Sequence, residues 1–504
     1  MKKRILALAL VLLCLGGMAF AAGDAPVRVI IIPPARLTPG YLGDGAGAIF
    51  ASFVYDWLFR INGQTGKVEP SLVESYTMSP DAKVWTMKLR KGVKFHHGTV
   101  FTADDVTYTV NRWLDKKLGM VPNGVFGSLI QKVEKVDPYT VRFTLTQTDV
   151  DFNLKLLDYN TPMLAHDYDN DKLGETKPSG TGAYQVETLV PKERVVFKAN
   201  TSYWVNGAPG LDRIELLFIP DTETEIKMME SGQADVVTDI SVDQYKRLNA
   251  NPATTGLYIK LGHHVPISMR TDIPPFNDPK VRMAMKLVVD RQKMLDTVMF
   301  GMGSLGNDSP IAPFHPFYDD LGGIRQKDVE KAKALLAQAG YTDKNPLSVT
   351  LYCSSNTPPE LDVALAFQQM AKDAGIDVEI STSPRDVYYA KHWLKETLTA
   401  TLWGHREDVT QLLRLAYMSG GPWNEGHYAN PELDKNIQLA TSTTDTAKRK
   451  EYFRNIQQIL ADDGPSIISF FQPYFGATSK RIKDFYLTRN WINDYRFMKL
   501  AAPQ

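Results

Sequence analysis

The chain has 504 residues, with 57 Lys and Arg against 57 Asp and Glu, and 43% of its residues are hydrophobic. With no basic excess, it lacks the cationic surface that nucleic acid or an anionic membrane demands. It also exceeds the roughly 250–300 residues at which a single core stops growing, so two or more lobes with a cleft between them are expected.

Met1-Lys-Lys-Arg4 precedes an uncharged run from Ile5 to Leu15, and small residues follow up to Ala21. This is the pattern of a cleaved secretory signal over residues 1–21. The run falls short of the roughly 20 residues that a membrane-crossing helix needs. Bulky Leu13 before Cys14 argues against a lipid anchor. No later stretch is long and apolar enough to span a bilayer, so a soluble exported protein is expected. Cleavage leaves Cys353 as the sole thiol, no internal disulfide can form, and core burial must hold the fold.

Along the mature chain, Val84–Leu89, Thr140–Leu145 and Arg194–Phe197 alternate as half-buried strands of mixed or antiparallel sheets. Thr102 caps a helix over 103–117, with Asp104 and Asp105 in its first turn and Val106, Val110, Trp113 and Leu114 on one face. Asp278-Pro279 opens another helix with proline at its first position. Helices over 329–339 and 360–374 close at Gly340 and Gly375. Strands follow at Leu347–Tyr352 and Ile376–Ile380, and a helix over 445–462 stops at Gly464-Pro465. The first half therefore reads as α+β. Residues from about 265 to 475 read as α/β with a parallel sheet.

Several segments resemble one family. Val93-Lys-Phe-His-His-Gly98 with Phe101-Thr-Ala-Asp-Asp-Val106 is similar to its "KFHDGTPFTADDV", and Gly180-Thr-Gly-Ala-Tyr184 to its "GTGPY". Pro275-Phe-Asn-Asp-Pro-Lys-Val-Arg282 and Asn430-Pro-Glu-Leu-Asp434 follow in the family's order. The chain thus resembles the extracellular solute-binding proteins of family 5, the dipeptide, oligopeptide and nickel receptors of ABC importers. The resemblance implies an α/β, two-lobed periplasmic-binding-protein fold of the type II, large peptide-receptor subclass, with an extra N-terminal subdomain. Lobe I would comprise 22–45, 179–264 and 478–504, the inserted subdomain 46–178, and lobe II 265–477. Hinge crossings would fall near 262–266 and 474–480. It further implies a monomeric, non-enzymatic periplasmic receptor that closes on a small solute and delivers it to an inner-membrane ABC permease.

In Trp403-Gly-His-Arg-Glu-Asp408, four adjacent titratable residues stand where an apolar strand hands over to a helix. Such loops at the carboxyl ends of α/β strands face the crevice where ligands bind. In peptide-binding relatives the equivalent loop carries an aspartate for the ligand's amino group. Asp408 matches that position, although the family's following proline is Val409 here. Arg406 suits a carboxylate through a two-pronged hydrogen bond, and Asp408 or Glu407 suits an ammonium group. Trp403, His405, Trp423 and Asn424 complete the candidate ligand site. A short peptide or amino-acid-like solute is expected, with an opine, a metal chelate or an oligosaccharide as the other ligand classes this fold holds.

Thr181 and Tyr184 are read as turn and packing residues. His96-His97 and His263-His264 lack converging ligands at metal-site spacing, so no metal or cofactor is expected. Gly301-Met-Gly-Ser-Leu-Gly306 follows a helix instead of a strand, which rejects a dinucleotide loop. Paired acids such as Asp462-Asp463 sit at helix ends, and no nucleophile–base pattern marks a hydrolase.

Overall fold

A computed structural model describes residues 26–502. The leader expected over residues 1–21 lies outside the described residues. Two lobes of mixed helix and sheet, with an added N-terminal subdomain, form the expected α/β two-lobed fold.

The largest sheet begins with Val27–Ile31, where Val27, Val29, Ile30 and Ile31 are buried and only Arg28 is exposed, as suits a strand covered on most of both faces. It pairs in parallel with Arg213–Phe218 on one side and Val236–Thr238 on the other. Antiparallel strands Arg194–Ala199 and Tyr184–Val190 extend one edge. At the other edge lie Phe470–Ser479 and Thr254–His263. Asp44 accepts from the Gly47 N–H at 2.8 Å and so caps the helix Gly45–Val54. That helix lays Phe50 and Phe53 against Phe197, with centroid separations of 5.9 and 4.7 Å.

The N-terminal subdomain is a four-stranded antiparallel sheet in the order Val73–Met78, Val84–Leu89, Thr140–Leu145, Ile130–Asp137. Trp85, Met87, Leu89, Val141, Phe143 and Leu145 alternate onto its buried face. The helix Ala103–Leu114 belongs to the same core and starts in a capping box between Thr102 and Asp105. It stops short of the predicted residue 117, because Asp115 leaves helical geometry and caps a separate single turn, Lys116–Leu118.

The C-terminal lobe carries a five-stranded sheet in the order Asp377–Ser383, Ser348–Ser354, Leu398–Ala400, Ile267–Met269, Ser466–Ile467. The first three strands are parallel. Ile267–Met269 runs antiparallel to both of its neighbours, so the sheet is mixed where a parallel one was expected. The reason is connectivity: Ile267–Met269 and Ser466–Ile467 are where the chain enters and leaves the lobe, in opposite directions. Strands Thr254–His263 and Phe470–Ser479, which lead in and out, pair along their length, with the register broken between Ile259 and His263.

Candidate functional site

The strand Leu398–Ala400 is followed by a single backbone pairing of Trp403 with His264, at 2.9 and 3.2 Å. Five residues later Asp408 accepts from the Thr410 N–H at 2.9 Å and caps the helix Val409–Ala416. Val409, Leu412, Leu413 and Ala416 sink into a core with Ile437 and Phe453. Both ends of the loop are thus fixed, and residues 404–407 are displayed between them.

This loop walls a cavity of about 650 Å³, counting its open mouth. Its other walls are residues 121–126 and 154–159 of the N-terminal subdomain and 489–491 near the C-terminus. His405, Arg406, Glu407 and Asp408 all line it. Tyr159 and Trp491 meet edge to face at 6.0 Å and give it an aromatic side.

Two of the loop's charges already have partners. Glu407 accepts from Arg489 Nε at 2.8 Å and Nη2 at 3.1 Å, and lies 3.0 Å from His405 Nε2. Burial alone would raise its carboxyl, but the interactions with His405 and Arg489 hold it down at about 2. Asp408 accepts from Lys155, which also lies 2.8 Å from Asp149. Burial works against the ionised aspartate here too, and the Lys155 ammonium outweighs it, so the Asp408 carboxyl stays below its ordinary range. Next to this group Arg449 pairs with Asp151, whose carboxyl burial pushes up to about 6. The expectation of Asp408 or Glu407 as the acid free for a ligand's ammonium therefore meets two carboxylates already neutralised from within the chain.

The uncommitted charges are Arg406 and Asp158. Arg406 donates to its neighbour's carbonyl, His405 O, at 3.0 Å, and no carboxylate of the described residues lies within 4.0 Å of its guanidinium. Asp158 accepts only from the Asn160 N–H at 2.8 Å. Burial raises its carboxyl, and the nearby Arg406 charge counters part of that rise. One cation and one anion, both lining the cavity and both without an ion-pair partner, can receive a solute carrying the opposite charges.

The remaining sequence candidates lie elsewhere. Trp403 and Trp423 line a second, smaller hollow with Glu425. Asn424 lines neither space: its side chain donates to Met418 O and Tyr428 O and accepts from the Tyr428 N–H, clasping its own loop. His96 and His97 bond Gly182 O and Ser179 Oγ, so they brace the 179–182 turn. Among the described residues, one cluster has the geometry for a metal, Asp105 with His166 and Asp167. Asp105 there already caps its helix and holds His166 Nδ1 at 2.8 Å. Sequence reasoning missed Lys155, Asp158, Tyr159, Arg489 and Trp491. Only Trp491, an aromatic among the polar residues Asn490 and Asn493-Asp494, carried a local signal.

A fold of two lobes around a lined cavity is that of the periplasmic-binding-protein class. The model of the bacterial extracellular solute-binding proteins, family 5, matches residues 67–427. The chain belongs to this family, the solute-binding components of ABC importers. It is 28% identical over 468 residues to heme-binding protein A of Haemophilus influenzae, covering 86% of this chain and 84% of that protein. It is 26% identical over 500 residues to the glutathione-binding protein GsiB of Escherichia coli, covering 96% of each. Among solved structures, HbpA2 of Haemophilus parasuis superposes with a TM-score of 0.82 at 23% identity, over 95% of this chain and 100% of that one. AgaA of A. tumefaciens, in complex with agropinic acid, gives 0.77 at 24% identity, over 95% and 99%. No described helix is long and apolar enough to cross a membrane.

Proposed function

We propose that the chain is a periplasmic receptor, released from its leader by cleavage, that captures a small peptide- or amino-acid-like zwitterion and presents it to an ABC permease. The observation that carries this reading is the pair of uncommitted charges in the cavity, Arg406 and Asp158. The solute's carboxylate meets the fork of Arg406, and its ammonium meets Asp158 in place of the already paired Asp408 and Glu407. Partial exclusion of water strengthens both contacts relative to bulk solvent. Tyr159 and Trp491 hold the apolar part between them. Agropinic acid in AgaA and glutathione in the name of GsiB fit a carboxylate-bearing solute.

The test is calorimetric titration with a panel of zwitterions, their des-amino acids and their amides. Wild type should prefer the zwitterion. Arg406→Ala should weaken every carboxylate-bearing solute by about 2–5 kcal/mol if its partner is left buried and unpaired. Asp158→Asn should erase the preference for the zwitterion over the des-amino acid. A panel with no binder, and no small molecule recovered by mass spectrometry after gentle purification, would count against the receptor reading. Equal affinities in wild type and both variants would move the solute away from this cavity.

A further inference from the structure

Beside the 404–407 loop lies a second hollow of about 190 Å³, counting its mouth, lined by Trp403, Trp423, Tyr417, Ser268 and Glu425. Glu425 is buried, 5% exposed, and its Oε1 accepts two indole N–H groups, from Trp393 at 2.6 Å and from Trp403 at 3.1 Å. Its other oxygen, Oε2, is buried without a hydrogen-bond partner. The Trp423 ring stands 6.1 Å from Trp403 and 6.4 Å from Trp393, tilted to both, and is 37% exposed, so it forms an outer lip.

The charge around this oxygen is one-sided. Glu360 is a second fully buried carboxylate close enough to act on Glu425, and it accepts only the Ser354 and Leu402 N–H groups, at 2.9 and 2.8 Å. No Lys, Arg or His of the described residues lies within 4.0 Å of either acid. A buried carboxylate oxygen without a partner costs a few kcal/mol, and indole faces attract cations. An ammonium group answers both features, since it donates to Oε2 and sits against the rings. The hollow has room for about one water-sized group, which an ammonium matches, and is far smaller than the 650 Å³ cavity next to it.

We propose that this hollow is a binding site for the ammonium group of a small primary amine, separate from the Arg406 cavity, with Glu425 as its anion and Trp403 and Trp423 as its walls. The competing arrangement is a protonated Glu425 whose Oε2–H turns to the hydroxyl of Ser268 or Thr401, both close by. Burial holds this carboxyl above its ordinary range, so amine binding must expel a proton if the acid starts neutral.

The probe is methylammonium chloride, titrated against the full chain with tryptophan fluorescence as readout and sodium chloride at equal ionic strength as control. Saturable quenching with methylammonium alone is expected. It should be at least tenfold weaker in Glu425→Gln, an isosteric change that keeps the acceptor for the two indoles. Should that variant fail to fold, Trp423→Leu on the lip serves in its place and should also weaken the saturation. Calorimetry in two buffers of different ionisation enthalpy should show proton release on binding when Glu425 begins protonated. A response identical to that of sodium chloride, or an undiminished one in the folded Glu425→Gln or Trp423→Leu variant, would overturn the site.

Discussion

Lys155 of the N-terminal subdomain donates to the carboxylate of Asp408, 253 residues away in the C-terminal lobe, and both side chains are almost fully buried. The ion pair spans the cavity wall and fastens the subdomain to the lobe that carries the 404–407 loop. Backbone contact reinforces it at the same seam, where the Val150 N–H donates to Thr441 O at 3.1 Å. Lys155→Met would leave Asp149 and Asp408 as uncompensated like charges, at a cost of about 3–5 kcal/mol. The loss should appear in urea unfolding, and X-ray scattering should show a larger radius for the ligand-free protein. Adding Asp408→Asn should recover part of the loss, because the two positions are coupled.

Stability should respond to pH in opposite senses at two buried glutamates. Burial raises Glu360 to about 7. Its ionisation is therefore harder in the folded than in the unfolded chain, and its contribution is lost as pH rises through about 7. Glu360→Gln should gain on wild type as pH climbs from 4.5, by about 1–3 kcal/mol at the top of that window. Glu407, held at about 2 by His405 and Arg489, behaves the other way. Glu407→Gln should be destabilised at neutral pH, and the difference should vanish as pH falls from 4.5 towards 2. Unfolding midpoints measured across the range decide both signs.

Gly262 sits at the seam between the two sheets, and a methyl group there would come within 2.6 Å of His405 Nδ1. The imidazole is boxed in by Glu407 and by Phe314, whose ring centroid is 5.7 Å away. Gly262→Ala should push the ring off Glu407, cost about 1–3 kcal/mol in stability and weaken solute binding in the cavity. Unchanged affinity in that variant would show that the position of His405 is not needed for binding.

Asn424→Ala should separate loop integrity from ligand contact. It removes the side chain that joins Met418 O, Tyr428 O and the Tyr428 N–H. A loss of about 1–3 kcal/mol is expected from the groups left without partners. Affinity for solutes in the Arg406 cavity should stay within a factor of about two. A large loss of affinity would return Asn424 to the ligand site where its sequence position first placed it.

The parts of this molecule that read well from sequence are those whose physics is local. Thr102 with Asp105, Asp278-Pro279 and Gly375 each signal a helix end from neighbours a few residues away, and each stands where expected. The 405–408 corner was legible for the same reason, as polar residues between a strand and a capped helix. What failed is pairing at a distance. Nothing within Phe152-Asn-Leu-Lys155 says that its lysine will neutralise Asp408, so Asp408 looked free to meet a ligand. Asp158 was overlooked because its fitness depends on facing Arg406 across a cavity that only the assembled lobes create. The antiparallel strands Ile267–Met269 and Ser466–Ile467 were hidden too, since their direction is set by where the chain leaves the lobe.

The broken register in the paired crossing strands has a mechanical meaning. Ile259 sits opposite Tyr474 and His263 opposite Gln472, so Lys260, Leu261 and Gly262 share a single facing residue, Pro473, which has no N–H to give. The ribbon is paired on either side of this gap and loses its ladder within it, so a bend would concentrate there as at a knuckle. Both limbs would bend at the same level, so any opening and shutting of the lobes would reduce to one coordinated swing. Gly262, which leaves no room for a side chain beside His405, would tie that swing to the corner proposed to grip the cargo.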